Sequence, residues 1–282
     1  MNAYTLFSGS RGNSALIVSK GINILIDVGT SLKKIEEKLL MSEGLGMEDI
    51  NLILITHSHS DHIHSLYTIY NKYPHINILM DDALYLEVCE ALSTKYKKQI
   101  TLDKDRITFV NGALKGKKLL IENFPVLHDR HCLAWSIKEV IDDKQSLLFI
   151  PDNGSWAGWF KEIELIKFPY TYYFIESNYD ETMQYLDNTR RTDVRRRALY
   201  SRGHSSNKDA MDKAVLFLET SNNENCKAII FHHLSEECNT VDLARSFHEG
   251  YMDVWGKNTL FKGVKFYYAT QDDILRIGED YE

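Results

Sequence analysis

The chain has 282 residues, of which 44% are hydrophobic and 26% charged, the balance of an ordinary globular protein with a sizeable core. Its formal net charge of -7 excludes a globally cationic surface for nucleic acid, so any polyanion must be held by a local basic patch or by metal. The four cysteines, Cys89, Cys132, Cys226 and Cys238, show no C-x-x-C spacing, which fits reduced thiols better than a disulfide framework. No apolar run reaches membrane-spanning length, and the N-terminus lacks the basic and apolar regions of a signal peptide. A cytoplasmic protein without a membrane partner is expected.

Apolar runs predict strands at 4–7, 15–18 and 22–27, joined by short turns. Helix 32–41, strand 52–56, helix 63–73, strand 76–80 and helix 83–96 follow. Strands are then expected at 107–110, 119–124, 133–137, 147–151 and 172–176. Helix 209–220, strand 228–232, helix 241–251 and strand 264–269 complete the chain. Early strands linked by turns and later ones by helices read as α/β with mixed sheets. With only four prolines and no linker, repeat or low-complexity segment, a single domain over 1–282 is expected.

The densest chemistry is Thr-His-Ser-His-Ser-Asp-His-Ile-His at 56–64, directly after the apolar run 52–55. In H-x-H, His57 and His59 lie two residues apart, so on extended backbone both rings point to one side. Asp61 and His62 follow where the chain turns into a helix and face the same point from another direction. Imidazole and carboxylate together suit Zn²⁺ foremost, with Mn or Fe also fitting. His64 is read as a residue outside the ligand set. Three further ligand types end apolar runs elsewhere, where sheet ends place functional groups: His128, Asp152 and His233.

At these residues the chain resembles the metallo-β-lactamase-fold hydrolases. The match to H-x-H-x-D-H is complete, while Pro151 stands where many members have Gly. The resemblance implies a four-layer αββα sandwich with a dinuclear site at one edge. Position by position, it implies that His57, His59 and His128 hold one metal ion. It implies that Asp61, His62 and His233 hold a second, with Asp152 between them. Ser-Gly-Ser-Arg-Gly-Asn at 8–13, Ile-Glu-Ser-Asn at 175–178, Arg-Gly-His-Ser-Ser-Asn at 202–207 and His-Leu-Ser-Glu-Glu-Cys-Asn at 233–239 are similar to the YycJ (WalJ, VicX) group. That group implies a metal-dependent phosphodiesterase, typically a DNA exonuclease. Gly203-His-Ser-Ser also resembles a segment of tRNA 3′-processing enzymes in which the histidine assists at the scissile phosphate, which makes His204 the non-ligand catalytic candidate.

Two metals about 3.5–4 Å apart can hold a hydroxide between them and neutralise charge on a phosphoryl group. Asp61, Asp152 and His204 are therefore the residues expected at the chemistry, with Asp129 orienting an imidazole. Six arginines fall between Arg190 and Arg202. Of these Arg195, Arg196, Arg197 and Arg202, together with Arg11, Ser205 and Asn207, are expected to contact substrate phosphate or the loops around it. The rival within the same chemistry is a cyclic-nucleotide phosphodiesterase acting against nucleotide-signalling immunity. Hydrolysis of a small ester, lactam or thioester fits less well, because those relatives do not usually carry the Gly-His-Ser-Ser feature. A metal-stabilised binding module without turnover is disfavoured by the intact ligands and by His204. DNA or RNA preference, polarity and a homodimer are left open by the sequence.

Overall fold

The computed structural model describes residues 1–141, 144–154, 167–186, 203–222 and 225–278. Two sheets dominate. The first holds β1 (Asn2–Phe7), β2 (Ser14–Ser19), β3 (Ile22–Ile26), β4 (Leu52–Leu54), β5 (Asn77–Met80), β6 (Ile107–Phe109) and, from the far end of the chain, β14 (Leu275–Ile277). Its order is β14-β1-β2-β3-β4-β5-β6. The second holds β7 (Ala113–Lys115), β8 (Leu119–Val126), β9 (Cys132–Glu139), β10 (Ser146–Phe149), β11 (Tyr172–Glu176), β12 (Ala228–His232) and β13 (Lys265–Tyr268), in the order β13-β12-β11-β10-β9-β8-β7. Each sheet is antiparallel at one side and parallel at the other: β3 to β6 run parallel in the first, β10 to β13 in the second.

Side-chain alternation explains the layers. On the second sheet Leu133, Trp135, Ile137, Leu147, Phe149, Tyr172, Phe174, Ala228 and Ile230 join the large core shared with the first sheet. Their neighbours Cys132, Ala134, Leu148, Ile150, Tyr173, Ile175, Ile229 and Phe231 face a second core. That second core is closed by α6 (Asn207–Thr220), through Ala210, Met211, Ala214, Phe217 and Leu218, and by α7 (Val241–Val254), through Ala244. On the opposite side α1 (Leu32–Glu43), α3 (Leu66–Lys72) and α4 (Asp82–Tyr96) bury Ile35, Leu39, Leu66, Ile69, Leu84, Val88 and Leu92 against the first sheet. The result is the expected αββα sandwich. Among the described residues no helix is long and apolar enough to cross a membrane, and all four cysteines are free.

Every predicted strand and helix has a counterpart, and the differences are local. The strands predicted at 22–27, 52–56 and 147–151 end at Ile26, Leu54 and Phe149, because their last residues leave the ladder to serve the sheet edge. The helix predicted over 63–73 is two pieces, α2 (Ser60–Ile63) and α3. The break falls where Ser65 is pinned to the first sheet's edge: its N–H donates to Val28 O at 3.0 Å and its hydroxyl to Thr30 O. The three-residue strands β7 and β14 and the short helix α5 (Glu181–Leu186) carry too little periodicity to be read from sequence. Gly29 shows how tightly the edge is packed. A Cβ built on it would lie 1.6 Å from Asp61 O.

Trp135 ties the sheets together. It is fully buried, and its indole N–H donates to Ile55 O at 3.0 Å, just before the histidine cluster. Trp135→Ala is expected to cost about 3–5 kcal/mol. Trp135→Phe, which mainly loses the hydrogen bond, should cost about 1–3 kcal/mol. Urea denaturation of the two variants checks the order.

Candidate metal centre

The C-terminal ends of β3 and β4 in one sheet meet those of β8, β10, β11 and β12 in the other, and each end delivers polar side chains to one place. β3 is followed by Asp27, β4 by Thr56 to His62, β8 by His128, β10 by Asp152 and β12 by His233, while Glu176 is the last residue of β11. The seven ligands expected from the sequence come together in two groups. His57, His59 and His128 form one, and Asp61, His62, Asp152 and His233 the other.

In the first group the ring nitrogens His57 Nε2, His59 Nδ1 and His128 Nε2 converge, at 3.1 Å between His57 and His59 and 3.3 Å between His59 and His128. A tetrahedral ion with metal–nitrogen bonds of about 2.0–2.1 Å spaces its ligands about 3.3–3.4 Å apart, so the three rings are set for one. Asp152 Oδ2 lies 3.9 Å from His57 Nε2 and 3.6 Å from His62 Nε2, which places it between the groups. Asp61 Oδ2 is 3.7 Å from His62 Nε2 and 4.0 Å from His233 Nε2. Among the buried polar atoms, Asp152 Oδ1 and His233 Nε2 have no hydrogen-bond partner. Burying such atoms unpaired is costly, and a metal ion is the partner their position suits.

Two buried carboxylates decide which nitrogen of each ring faces the centre. Asp27 Oδ2 accepts from His62 Nδ1 at 2.7 Å and from the Thr56 hydroxyl at 2.7 Å. Because Thr56 spends its proton on Asp27, its oxygen must accept from His57 Nδ1, 3.0 Å away. His57 and His62 therefore both direct Nε2 inward. Glu176 does the same from the second sheet. Its Oε1 accepts from His233 Nδ1 at 3.0 Å and from His204 Nδ1 at 2.6 Å. His128 donates from Nδ1 to Gly203 O at 2.9 Å, which frees its Nε2. Asp129 Oδ1 is 3.2 Å from His59 Nε2, where it can accept that ring's proton and leave Nδ1 to face the centre, and it also lies 3.2 Å from the inward Nε2 of His128.

The electrostatics follow. Burial, reinforced by its neighbouring imidazoles, holds the His57 pKa well below its ordinary value, and burial lowers those of His59 and His128. The neutral imidazole is the form that can ligate metal. Burial disfavours the Asp152 carboxylate, but His233, His62 and His204 outweigh it and hold its pKa well below the usual range. Glu176 is pulled to about 2 in the same way, burial being outweighed by His204 and His233. For His204 burial opposes the charge, yet the contact with Glu176 and the nearness of Asp152 raise its pKa to about 9.

Neither Asp27 nor Glu176 was singled out in the sequence, although Glu176 had a signal. Tyr172, Phe174 and Glu176 share one face of β11, so Glu176 is a carboxylate closing an inward apolar row. Lys213 was also missed. It is fully buried on α6, its ammonium donates to Asn153 Oδ1 and the Ser205 hydroxyl, and burial lowers its pKa to about 8. It joins the loop after Asp152 to the loop of His204.

The expected substrate contacts fare differently. Ser205 and Asn207 are buried. The Ser205 hydroxyl donates to Asn153 O at 2.8 Å, and Asn207 Oδ1 accepts from the Ser177 hydroxyl at 2.7 Å and from Asn239 Nδ2 at 2.8 Å. Both support the His204 loop from within and do not face outward, and it is Ser206 that caps α6, accepting from Asp209 N at 3.1 Å. Arg11 is exposed and paired with Glu236 at 2.8 Å and Asp272 at 2.9 Å. Arg195, Arg196, Arg197 and Arg202 lie outside the described residues. His64 is exposed at the end of α2, as expected of a residue outside the ligand set.

A metal-ligand edge between two sheets of an αββα sandwich defines the class, and residues 8–112 match the model of the metallo-beta-lactamase superfamily. The chain is 30% identical to exodeoxyribonuclease WalJ of Streptococcus pneumoniae over 245 residues, covering 85% of this chain and 83% of that one. It is also 30% identical to the anti-Pycsar protein Apyc1 of Bacillus phage BSP38, over 146 residues that span 44% of this chain and 56% of the relative. Among solved structures, the metallo-beta-lactamase fold protein YhfI from Bacillus subtilis superposes with a TM-score of 0.61 at 16% identity, covering 98% of this chain and 100% of that one. The chain belongs to the YycJ/WalJ group of the metallo-β-lactamase superfamily.

The roles of the two carboxylates are separable. Asp27 sets one ring in each group, so Asp27→Ala should weaken binding of both metal ions, each by about 10–100-fold. Glu176→Gln disturbs only the group containing His233 and should weaken one. Chelator-competition titration, read as one or two altered binding steps, checks this.

Proposed function

We propose that the protein is a dinuclear-metal-dependent phosphodiester hydrolase, a nuclease of the DNA exonuclease kind, working as one cytoplasmic domain. The observation that carries the reading is the pairing of His204 with Glu176 beside Asp152. Two metal ions in the ligand groups, Zn²⁺ foremost and Mn or Fe as alternatives, would supply Lewis acidity and a nucleophilic water at neutral pH. The remaining work belongs to side chains. Asp152 faces both groups and would keep them in register. His204 lies outside these two groups, in a further cluster with Asp152, Glu176 and His233, and its side chain is 27% exposed. With Nδ1 committed to Glu176, its Nε2–H is left to donate to a phosphoryl oxygen or to the leaving oxygen. A pKa near 9 keeps that proton in place at neutral pH. The arginines Arg195, Arg196, Arg197 and Arg202 would add the cations that an acidic protein needs for an anionic chain.

The similarity to exodeoxyribonuclease WalJ over most of both chains supports DNA as substrate. A cyclic nucleotide is the second reading, favoured by the partial match to an anti-Pycsar protein. Both place a phosphodiester at the same groups. Turnover of single-stranded DNA, duplex DNA, RNA and cyclic mononucleotides by metal-loaded protein distinguishes them, with DNA expected to be cleaved fastest.

His204→Ala should keep two metal ions per chain, while turnover falls by roughly 10²–10⁴-fold, the range for a lost general acid or base. Asp152→Ala should lose metal and activity together. Metal stoichiometry measured beside phosphodiesterase rate is the check. A His204→Ala protein that loses metal would make His204 a ligand, and one that keeps its rate would remove the case for phosphodiester chemistry.

A further inference from the structure

We propose that the groove between α2 and α4 beside His59 is a nucleotide subsite, receiving the nucleoside next to the scissile phosphate on the first-sheet side of the centre. This rests on the phosphodiester reading above and adds the place where the substrate's flanking unit lies. The starting point is where the centre opens. The side chains of His57, His128, His62 and His233 are almost fully covered, whereas that of His59 is 32% exposed. His59 is also a wall of a cavity of about 430 Å³ that runs along α4, a size within the range of small-ligand sites.

The lining suits a nucleotide. Ile63, Ala91 and Leu92 supply apolar surface and Ser60 and Thr94 supply hydroxyls, a mixture fit for a base and a sugar. Lys95 and Arg130 stand in the same wall. Arg130 is exposed and, among the described residues, has no acidic partner. The Lys95 ammonium donates to His64 O at 2.6 Å, and among the described residues no carboxylate is paired with it. Of the two acids in the wall, Glu87 is taken up by the Ser58 hydroxyl at 3.1 Å and His131 N at 3.3 Å. Glu90 is left as an acceptor for a hydroxyl or an amino group. Arg130 lies two residues after the ligand His128, so a phosphate beside the metal groups would have its neighbouring phosphate within the reach of these two cations. His204 approaches from the other sheet, and the substrate would therefore cross the centre from one side to the other.

The test is binding by metal-loaded protein of a fluorescent single-stranded phosphorothioate oligodeoxynucleotide, read as anisotropy over a salt series. The Lys95→Ala/Arg130→Ala double variant should raise Kd about tenfold. Its salt slope should become shallower by about 1.4, since each lost contact to a single strand removes about 0.7. Metal stoichiometry of the variant confirms an intact centre, and Arg130→Glu should weaken binding further. Lys117→Ala/Lys118→Ala, which removes two cations beside a separate cavity lined by Ile22 and Leu52, should leave Kd unchanged. An unchanged Kd in the groove variant, or an equal loss in both double variants, overturns the subsite whether or not the strand is hydrolysed. Groove-dependent binding of a strand that is never cleaved sustains the subsite and defeats the hydrolase reading instead.

Discussion

Two buried carboxylates, one at the edge of each sheet, are the constraint on which the centre depends. A histidine offers metal a lone pair only if its other nitrogen holds the proton, and inside a protein the partner of that proton decides the matter. Asp27 makes the choice for His62 directly and for His57 through the Thr56 hydroxyl. Glu176 makes it for His233 and extends the same control to His204. Each carboxylate acts within its own sheet, and the two halves of the centre are held together by hydrogen bonds across the edge, where the Leu133 N–H donates to Thr56 O at 2.8 Å, so packing in the shared core and chemistry at its rim are coupled. Trp135 makes the coupling concrete, since its indole holds the carbonyl of Ile55, two residues before His57.

The backbone bears some of the cost. Asp27 has φ of 60° and His233 φ of 58°, the left-handed region that side chains with a Cβ avoid. Both residues turn the chain sharply where a strand ends, so that a side chain due to alternate outward swings over the edge. His233 is held in that turn by its N–H, which donates to the Ser8 hydroxyl at 2.7 Å, and Asn13 secures the opposite loop by donating its N–H to Asp61 O at 2.8 Å. Ser8 and Asn13 thus tie the first turn of the chain to both metal-ligand loops, a use for that glycine-rich segment that lies in hydrogen bonding rather than in substrate contact. Lys213 does comparable work from α6, where a buried ammonium is tolerated because Asn153 and Ser205 receive it.

What could be read from the sequence follows from how local each signal is. The H-x-H-x-D-H cluster concentrates its candidate ligands in six residues, and His128, Asp152 and His233 each end an apolar run, so all seven residues that the fold gathers at the edge could be picked out from the sequence. The alternating and helical periods were equally plain, which is why the sandwich was legible apart from three-residue strands and the broken helix at Ser65. Asp27 was not legible as a site residue, because a carboxylate just past a strand end looks the same whether it faces solvent or an imidazole from another strand, whereas Glu176 was marked only by closing the inward row of Tyr172 and Phe174. Ser205 and Asn207 erred in the opposite direction: polar residues beside a catalytic histidine suggested substrate, while in the fold they are consumed by Asn153, Ser177, Asn239 and Lys213. Sequence neighbourhood identifies a loop as functional, but burial decides which of its side chains face out.

Charge at the centre explains how an acidic protein can accept an anionic chain. Asp27, Asp61, Asp129, Asp152 and Glu176 gather five carboxylates at or against the two ligand groups, and that set alone would repel a phosphodiester. Two divalent ions together with the His204 imidazolium would balance it. The centre would then present no net negative charge while keeping its positive charge at the open side, next to His204 and His59. The clustering of these acids, three of them buried, would thus be part of recognition: they would hold the ions, the ions would offset the local negative field, and the half-buried imidazole, with the cations of the surrounding loops, would set the direction from which substrate can approach. On this reading substrate binding would depend on metal before any bond is broken, and the -7 charge of the chain would favour approach where the ions offset the carboxylates.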